Sequence, residues 1–207
     1  MPINNKESLN NYFSMLFNNS IKTVYILASN NDIKNEGFKY FRENLKLDNI
    51  KTKGNKKWEL KEHYENKWNL PCKTYIKTMI NNSSNKTKDI KFVHIYNWAD
   101  HTGIDATKLK NTIDIIADNL KTNPTKENIA VHCLAGLGRT GEFIALMEMI
   151  KLIESGNKEG KSLESIISDL RAKRSVNALY KPEQIAELVK YAINNNIPLL
   201  NDDIKMK

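Results

Sequence analysis

The stretch Ile129-Ala130-Val131-His132-Cys133-Leu134-Ala135-Gly136-Leu137-Gly138-Arg139-Thr140-Gly141 constrains this chain more than any other. A short apolar run, suited to a buried strand, leads into a cysteine. Five small or apolar residues, two of them glycine, separate that cysteine from an arginine. Glu142-Phe143-Ile144-Ala145-Leu146-Met147-Glu148-Met149-Ile150 then reads as a largely buried helix. A strand, a tight glycine-bearing loop and a helix start form a cradle for an anion. The amides of Leu134, Ala135, Gly136, Leu137 and Gly138 can point inward, and the helix dipole adds partial positive charge at its start.

A cysteine at the mouth of such a cradle changes its chemistry. A free thiol titrates near 8.5, and a helix N-terminus or a nearby cation can lower that to roughly 3.5–7.5. Cys133 is therefore expected to be a thiolate facing a bound oxyanion. Arg139 offers a planar fork of donors to two of the anion's oxygens. Gly136 and Gly138 let the backbone turn and approach the ligand closely. This is a nucleophile aimed at phosphorus. A leaving seryl or tyrosyl oxygen then needs a proton donor. Asp100, on a loop after a strand and 33 residues before Cys133, is the candidate general acid.

The run His132 to Gly141, HCLAGLGRTG, resembles the signature loop of the cysteine-dependent protein tyrosine phosphatases: a cysteine, five residues, an arginine and then Ser or Thr. Trp98-Ala99-Asp100-His101 is similar to that family's mobile Trp-Pro-Asp loop, which closes over the bound phosphate. Ala99 stands where the family usually has proline, which implies a less stiff loop. Leu170-Arg171-Ala172-Lys173-Arg174 is similar to the Leu-Arg-x-x-Arg helix of tyrosine-specific members. Glu183-Gln184 resembles the glutamine segment that places the hydrolytic water, with the spacing off by about one residue. The resemblance is densest from about Val93 to Leu146, continues to Gln184 and is faint before Thr74. The family's phosphotyrosine-recognition loop is not found. In the low-molecular-weight phosphatases the cysteine comes early and the acid follows it, which fits this order poorly.

The resemblance implies catalysis by Cys133, Arg139 and Asp100, with Thr140 hydrogen-bonding the departing thiolate and Gln184 positioning water. His132 and Trp98 would support the loops. No cofactor is implied. No His/Cys/Asp cluster has the spacing of a metal site, so no metal is expected. Phosphotyrosine in a protein is the favoured substrate. A phosphoinositide or inositol-phosphate phosphatase on the same scaffold needs extra cations, yet Leu134 and Leu137 hold loop positions where lysines would help. A dual-specificity protein phosphatase is a further alternative. A silent binding module fits poorly, because Cys133, Arg139, Asp100 and Thr140 are all present.

Along the chain, Lys6 to Phe17 has helical spacing, and Val24-Tyr25-Ile26-Leu27-Ala28 reads as a strand. Asp32 is the expected cap of a following helix that carries Phe38, Phe41 and Leu45. Lys46 to Lys67 reads as loops with one strand. Thr74–Ile80 and Asp89–Tyr96 flank a polar turn and form a hairpin. Helices are expected over Asp105–Leu120, Ser162–Arg174 and Pro182–Asn194, with Pro182 in a first turn. Residues beyond Pro198 are expected to fray. The pattern predicts one α+β domain over 1–207: a central mixed twisted sheet flanked by helices, with a C-terminal helical cluster.

Composition narrows the partners. The net charge of +8 comes from dispersed lysines mixed with acids. There is no Arg-rich helix, zinc pattern or RNA-binding aromatic motif, so nucleic acid is not an expected partner. The charge suits steering of phosphorylated proteins. No stretch is apolar enough for stable membrane insertion, and the first residues lack the apolar run of a signal peptide. Two cysteines, Cys72 and Cys133, make no disulfide framework. The expectation is a monomer in the reducing cytoplasm. Export by a route without a cleaved signal is compatible with the same sequence.

Overall fold

The computed structural model describes residues 1–2, 4–35, 39–60, 69–156 and 160–202. Among the described residues, five strands form one open sheet in the order β2-β3-β4-β1-β5. They are β1 (Thr23–Ile26), β2 (Ile50–Leu60), β3 (Cys72–Asn81), β4 (Thr87–Ile95) and β5 (Ile129–His132). The helices are α1 (Lys6–Asn18), α2 (Asn30–Asn35), α3 (Ala106–Leu120), α4 (Gly138–Glu154), α5 (Leu163–Lys173) and α6 (Pro182–Asn194). Among the described residues no helix is long and apolar enough to cross a membrane.

The sheet is mixed, as expected. β3 and β4 form the antiparallel hairpin, with Cys72 opposite Ile95 and Ile80 opposite Thr87. β1 runs parallel to both β4 and β5, placing Ile26 beside His94 and His132. Covered on both faces, β1 is buried along its whole length. The period of two then divides its side chains. Tyr25 and Leu27 join a core built from α3, α4, α5 and α6. Val24, Ile26 and Ala28 join a second core with Phe13 and Leu16 of α1, Tyr40 and Phe41. Phe143 of α4 stacks obliquely on Tyr25, 4.8 Å between centroids. Removing such a fully buried ring typically costs about 3–5 kcal/mol.

Several expectations need correction. Asp32 does not cap α2: Ser29 does, its hydroxyl accepting from the Asp32 amide while the Asp32 carboxylate accepts from the Ser29 amide. The described helix spans Asn30–Asn35, and residues 39–45 are not helical. Phe38 lies outside the described residues, and Phe41 is buried beyond the helix because Tyr75 and His94 pack against it. The single strand expected in 46–67 is the edge strand β2, bulged between Lys53 and Lys56, where Gly54 takes a φ of 96°. The chain after Pro198 does not fray through Asn201. The Leu163 and Glu164 amides donate to the Pro198 and Leu199 carbonyls, and the Ser162 hydroxyl bonds Asn201. The cap of α5 thus anchors the tail.

Candidate active site

α4 begins at Gly138, not at Glu142, so Arg139 and Thr140 lie in its first turn. The pattern of caps explains why this matters. Asn5, Asp105 and Ser162 each cap their helices by accepting an amide hydrogen. Leu137, at the same position on α4, provides no side-chain cap. The amides of a long buried helix therefore open toward Cys133, the residue that follows β5. A helix start with uncovered amides is an anion site.

Gly136 supplies the turn, with a φ of 77°. Its amide donates to Cys133 Sγ at 3.2 Å. Gly138 serves a different end: a Cβ there would lie 2.8 Å from Gln184 Nε2, so its hydrogen admits the α6 side chain. Burial pushes the Cys133 thiol up, but the Thr140 hydroxyl and amide, the Gly136 amide and the Arg139 charge together bring it below its ordinary value. The other cysteine, Cys72, is buried in β3, and burial, which its backbone hydrogen bond with Leu60 does not offset, lifts its thiol to about 12.

Arg139 is 1% exposed. Its Nη1 donates to the Leu27 carbonyl (3.2 Å), the Trp98 carbonyl (3.0 Å) and the Asp32 carboxylate (2.5 Å). Its Nη2 lies 2.9 Å from Asp100 Oδ1 as an ion pair. Nε and Nη2 make no well-aligned hydrogen bond among the described residues. One edge of the guanidinium is thus fixed by the protein while the other keeps its donors. Asp32 loses some of its hydration here, yet the Arg139 and Ser29 bonds hold its carboxyl below the usual value.

His132 backs the loop. Its Nδ1 lies 3.0 Å from the Cys133 carbonyl, which can only accept, so Nδ1 carries the hydrogen. Nε2 then accepts from the Tyr40 hydroxyl at 2.6 Å, and Tyr40 meets Tyr12 at 3.2 Å. Burial lowers the imidazole to about 4, so it is neutral. From α5, Arg174 reaches the Gly136 and Ala135 carbonyls, while Arg171 donates to the Ala178 and Leu179 carbonyls. The Leu-Arg-x-x-Arg helix therefore braces both the cysteine loop and the segment before α6.

The acid loop connects β4 to α3. Trp98 is buried, and its indole donates to the Thr102 carbonyl at 3.0 Å. The Thr102 hydroxyl donates to the Ala99 carbonyl at 2.8 Å. These two bonds brace a turn that lacks the proline. The loop's exit is held by Glu142, which accepts from the Ile104 amide at 2.9 Å, and by Gln184, whose amide donates to the Thr102 carbonyl at 3.3 Å. Gln184 Oε1 is buried without a hydrogen-bond partner among the described residues.

A cleft of about 340 Å³ brings together Asp100, His101, Cys133, Leu137, Tyr180 and Gln184. A larger cavity of about 480 Å³ lies against other loop residues but is lined by neither Cys133 nor Asp100. Among the described residues no three His, Cys, Asp or Glu side chains group as metal ligands. Of the site residues singled out from the sequence, Asp100, Cys133, Leu134, Ala135, Leu137, Gly138 and Gln184 line this cleft, while Trp98, His132, Gly136, Arg139 and Thr140 do not line it. Sequence reasoning missed Asp32, Tyr40, His101, Glu142 and Tyr180. Only His101 carried a local signal, its position next to Asp100.

Comparison with known proteins agrees with this geometry. Tyrosine-protein phosphatase YopH of Yersinia pseudotuberculosis is 26% identical over 95% of this chain and 44% of that protein. The human receptor-type tyrosine-protein phosphatase eta is 36% identical over 47% of this chain and 7% of that protein. The chain thus spans less than half the length of these curated relatives. A PTPN18 structure, described as the basis of its fingerprint on distinct HER2 tyrosine phosphorylation sites, superposes with a TM-score of 0.72. That match has 15% identity and covers 94% of this chain and 67% of the other. The pattern of the family described as protein-tyrosine phosphatase matches residues 1–194, and this chain belongs to that family.

Proposed function

We propose that this chain, acting as one catalytic domain over 1–207, hydrolyses phosphotyrosine in proteins through a cysteinyl-phosphate intermediate. The observation that carries the reading is the divided guanidinium of Arg139. Nη1 is saturated by Leu27, Asp32 and Trp98, while Nε and Nη2 keep donors beside a thiol of lowered pKa. Those donors and the loop amides bind the phosphate and follow its charge into the transition state. The Cys133 thiolate attacks phosphorus, the bond to the tyrosyl oxygen breaks, and Asp100 gives that oxygen its proton. Water, oriented by Gln184 Oε1, then attacks the thiophosphate. Its proton goes to Asp100, the phosphorus–sulfur bond breaks, and the Thr140 hydroxyl steadies the returning thiolate.

The cleft favours an aryl ester. Cys133 is 3% exposed, so a substrate must reach a recessed sulfur. Leu137 and Tyr180 on the walls suit a ring, and among the described residues no lysine lines the cleft. Both cysteines are free and buried, which accords with a reducing, cytoplasmic setting. The test is a panel of phosphotyrosine, phosphoserine and phosphothreonine peptides with inositol phosphates, run on wild type and Cys133→Ser. Phosphotyrosine should lead in kcat/KM. The variant should lose turnover by more than about 10⁴-fold yet still bind the phosphopeptide. Turnover within tenfold of wild type would remove Cys133 from the mechanism.

A further inference from the structure

Asp100 stands on an exposed loop and is gripped from two sides. Oδ1 faces Arg139 Nη2 at 2.9 Å, and Oδ2 lies 3.3 Å from His101 Nε2. The other ring nitrogen of His101, Nδ1, is 2.6 Å from the Tyr180 hydroxyl. The two rings meet edge to face, 6.1 Å between centroids. His101 holds this pose with a φ of 60°, a left-handed backbone that a non-glycine residue adopts at a cost. Tyr180 is fixed from behind, because its neighbour Leu179 gives its carbonyl to Arg171. The chain Tyr180–His101–Asp100 spans the cleft mouth, from the segment before α6 to the acid loop.

We propose that Tyr180 and His101 form a latch that holds the acid loop closed and fixes the Asp100 carboxyl for proton donation. Both are positioning residues, and the inference rests on Asp100 being the general acid. With the ring proton on Nε2, the imidazole matches either state of that acid: Nε2–H donates to a carboxyl oxygen that accepts whether the group is protonated or ionised, and the Tyr180 hydroxyl donates to Nδ1. The acid's own proton is left for the leaving oxygen, and the grip persists as that proton leaves and returns. A loop without its proline has more freedom to lose, and this chain meets that with a tether to the opposite wall. One exposed hydrogen bond shifts a closing equilibrium by about 2- to 10-fold.

The test is Tyr180→Phe in the full chain, which keeps the ring and removes the hydroxyl. With a phosphotyrosine peptide, kcat should fall about 2- to 10-fold while KM stays level. With nitrophenyl phosphate, whose leaving group needs little protonation, the loss should be smaller. His101→Phe should behave alike, the double variant should be no worse than either single one, and His101→Gln should restore part of the loss. The exchange of the Trp98 indole resonance in NMR should show a smaller closed population in Tyr180→Phe. Equal losses on both substrates, additive losses in the double variant, or an indole exchange identical to wild type would overturn the latch. If wild type showed no turnover, the functional reading would fail instead, and the indole exchange would still decide the latch.

Discussion

Cys133 and Asp100 face one cleft from loops that are held in opposite ways. The cysteine loop leaves the edge strand β5, enters a long buried helix and is braced by His132, Arg139 and Arg174. Its key side chains are buried: Arg139, Thr140 and Cys133 are 1%, 6% and 3% exposed. The acid loop has one buried anchor, Trp98, while the side chains of Asp100 and His101 are 42% and 60% exposed. The difference follows from what each loop must do. An anion hole works when its dipoles are already aligned, so rigidity helps. A proton donor must let the ester in and the product out, so it sits where closing and opening cost little.

Damage to the rigid loop should therefore be the more severe. Arg139→Lys removes the bidentate fork and leaves Asp32, Leu27 and Trp98 without their shared donor. We expect kcat/KM for a phosphotyrosine peptide to fall by about 10³-fold or more, with circular dichroism confirming that the variant is folded. A loss under tenfold would place Arg139 outside the anion site and erase the contrast between the loops.

Asp100→Asn should cost less and should discriminate between substrates. General acid assistance is worth about 10²–10⁴-fold, so the peptide should lose about 10²-fold in kcat and nitrophenyl phosphate far less. The variant should also lack the descending limb that an essential protonated acid imposes on the pH–rate profile. Equal losses on both substrates with that limb intact would make Asp100 a turn residue and put the proton donor elsewhere.

The same contrast governs what could be read from the chain. The cysteine loop is contiguous, so HCLAGLGRTG carried nucleophile, cradle and arginine in one run of residues, and the hairpin was legible from alternation and a polar turn. Its supports were not legible. Asp32 lies 107 residues from the guanidinium it fixes, and Tyr40 lies 92 residues from His132. Nothing local marks such partners, because the parallel pairing of β1 with β5 is what brings them together. Periodicity also misjudged the stretch after α2, where Phe41, expected on that helix, serves a core from outside it. The start of α4 was placed too late because small loop residues hide the helical turn that Gly138 opens.

The last contrast lies where the two loops meet and is read in stability, not in rate. Glu142 of α4 is fully buried, and its Oε1 receives the Ile104 amide at the exit of the acid loop. Oε2 has no partner among the described residues, and burial pushes the carboxyl up to about 9. The folded chain therefore keeps a proton that the unfolded chain releases near the ordinary glutamate value of about 4.3. Stability from this group is complete below that value and declines as pH rises toward the folded value. Glu142→Gln keeps an acceptor for Ile104 but cannot ionise. Between pH 5 and 9 the melting temperature of wild type should fall more steeply than that of the variant, with a divergence of about 2–4 °C for each kcal/mol involved. The slope is the decisive reading, since any constant cost of the unpartnered amide shifts the whole curve without tilting it. Parallel curves would mean that Glu142 is ionised in the folded chain. The tie between α4 and the acid loop would then be a charged one, and the loop would be less free than its exposure indicates.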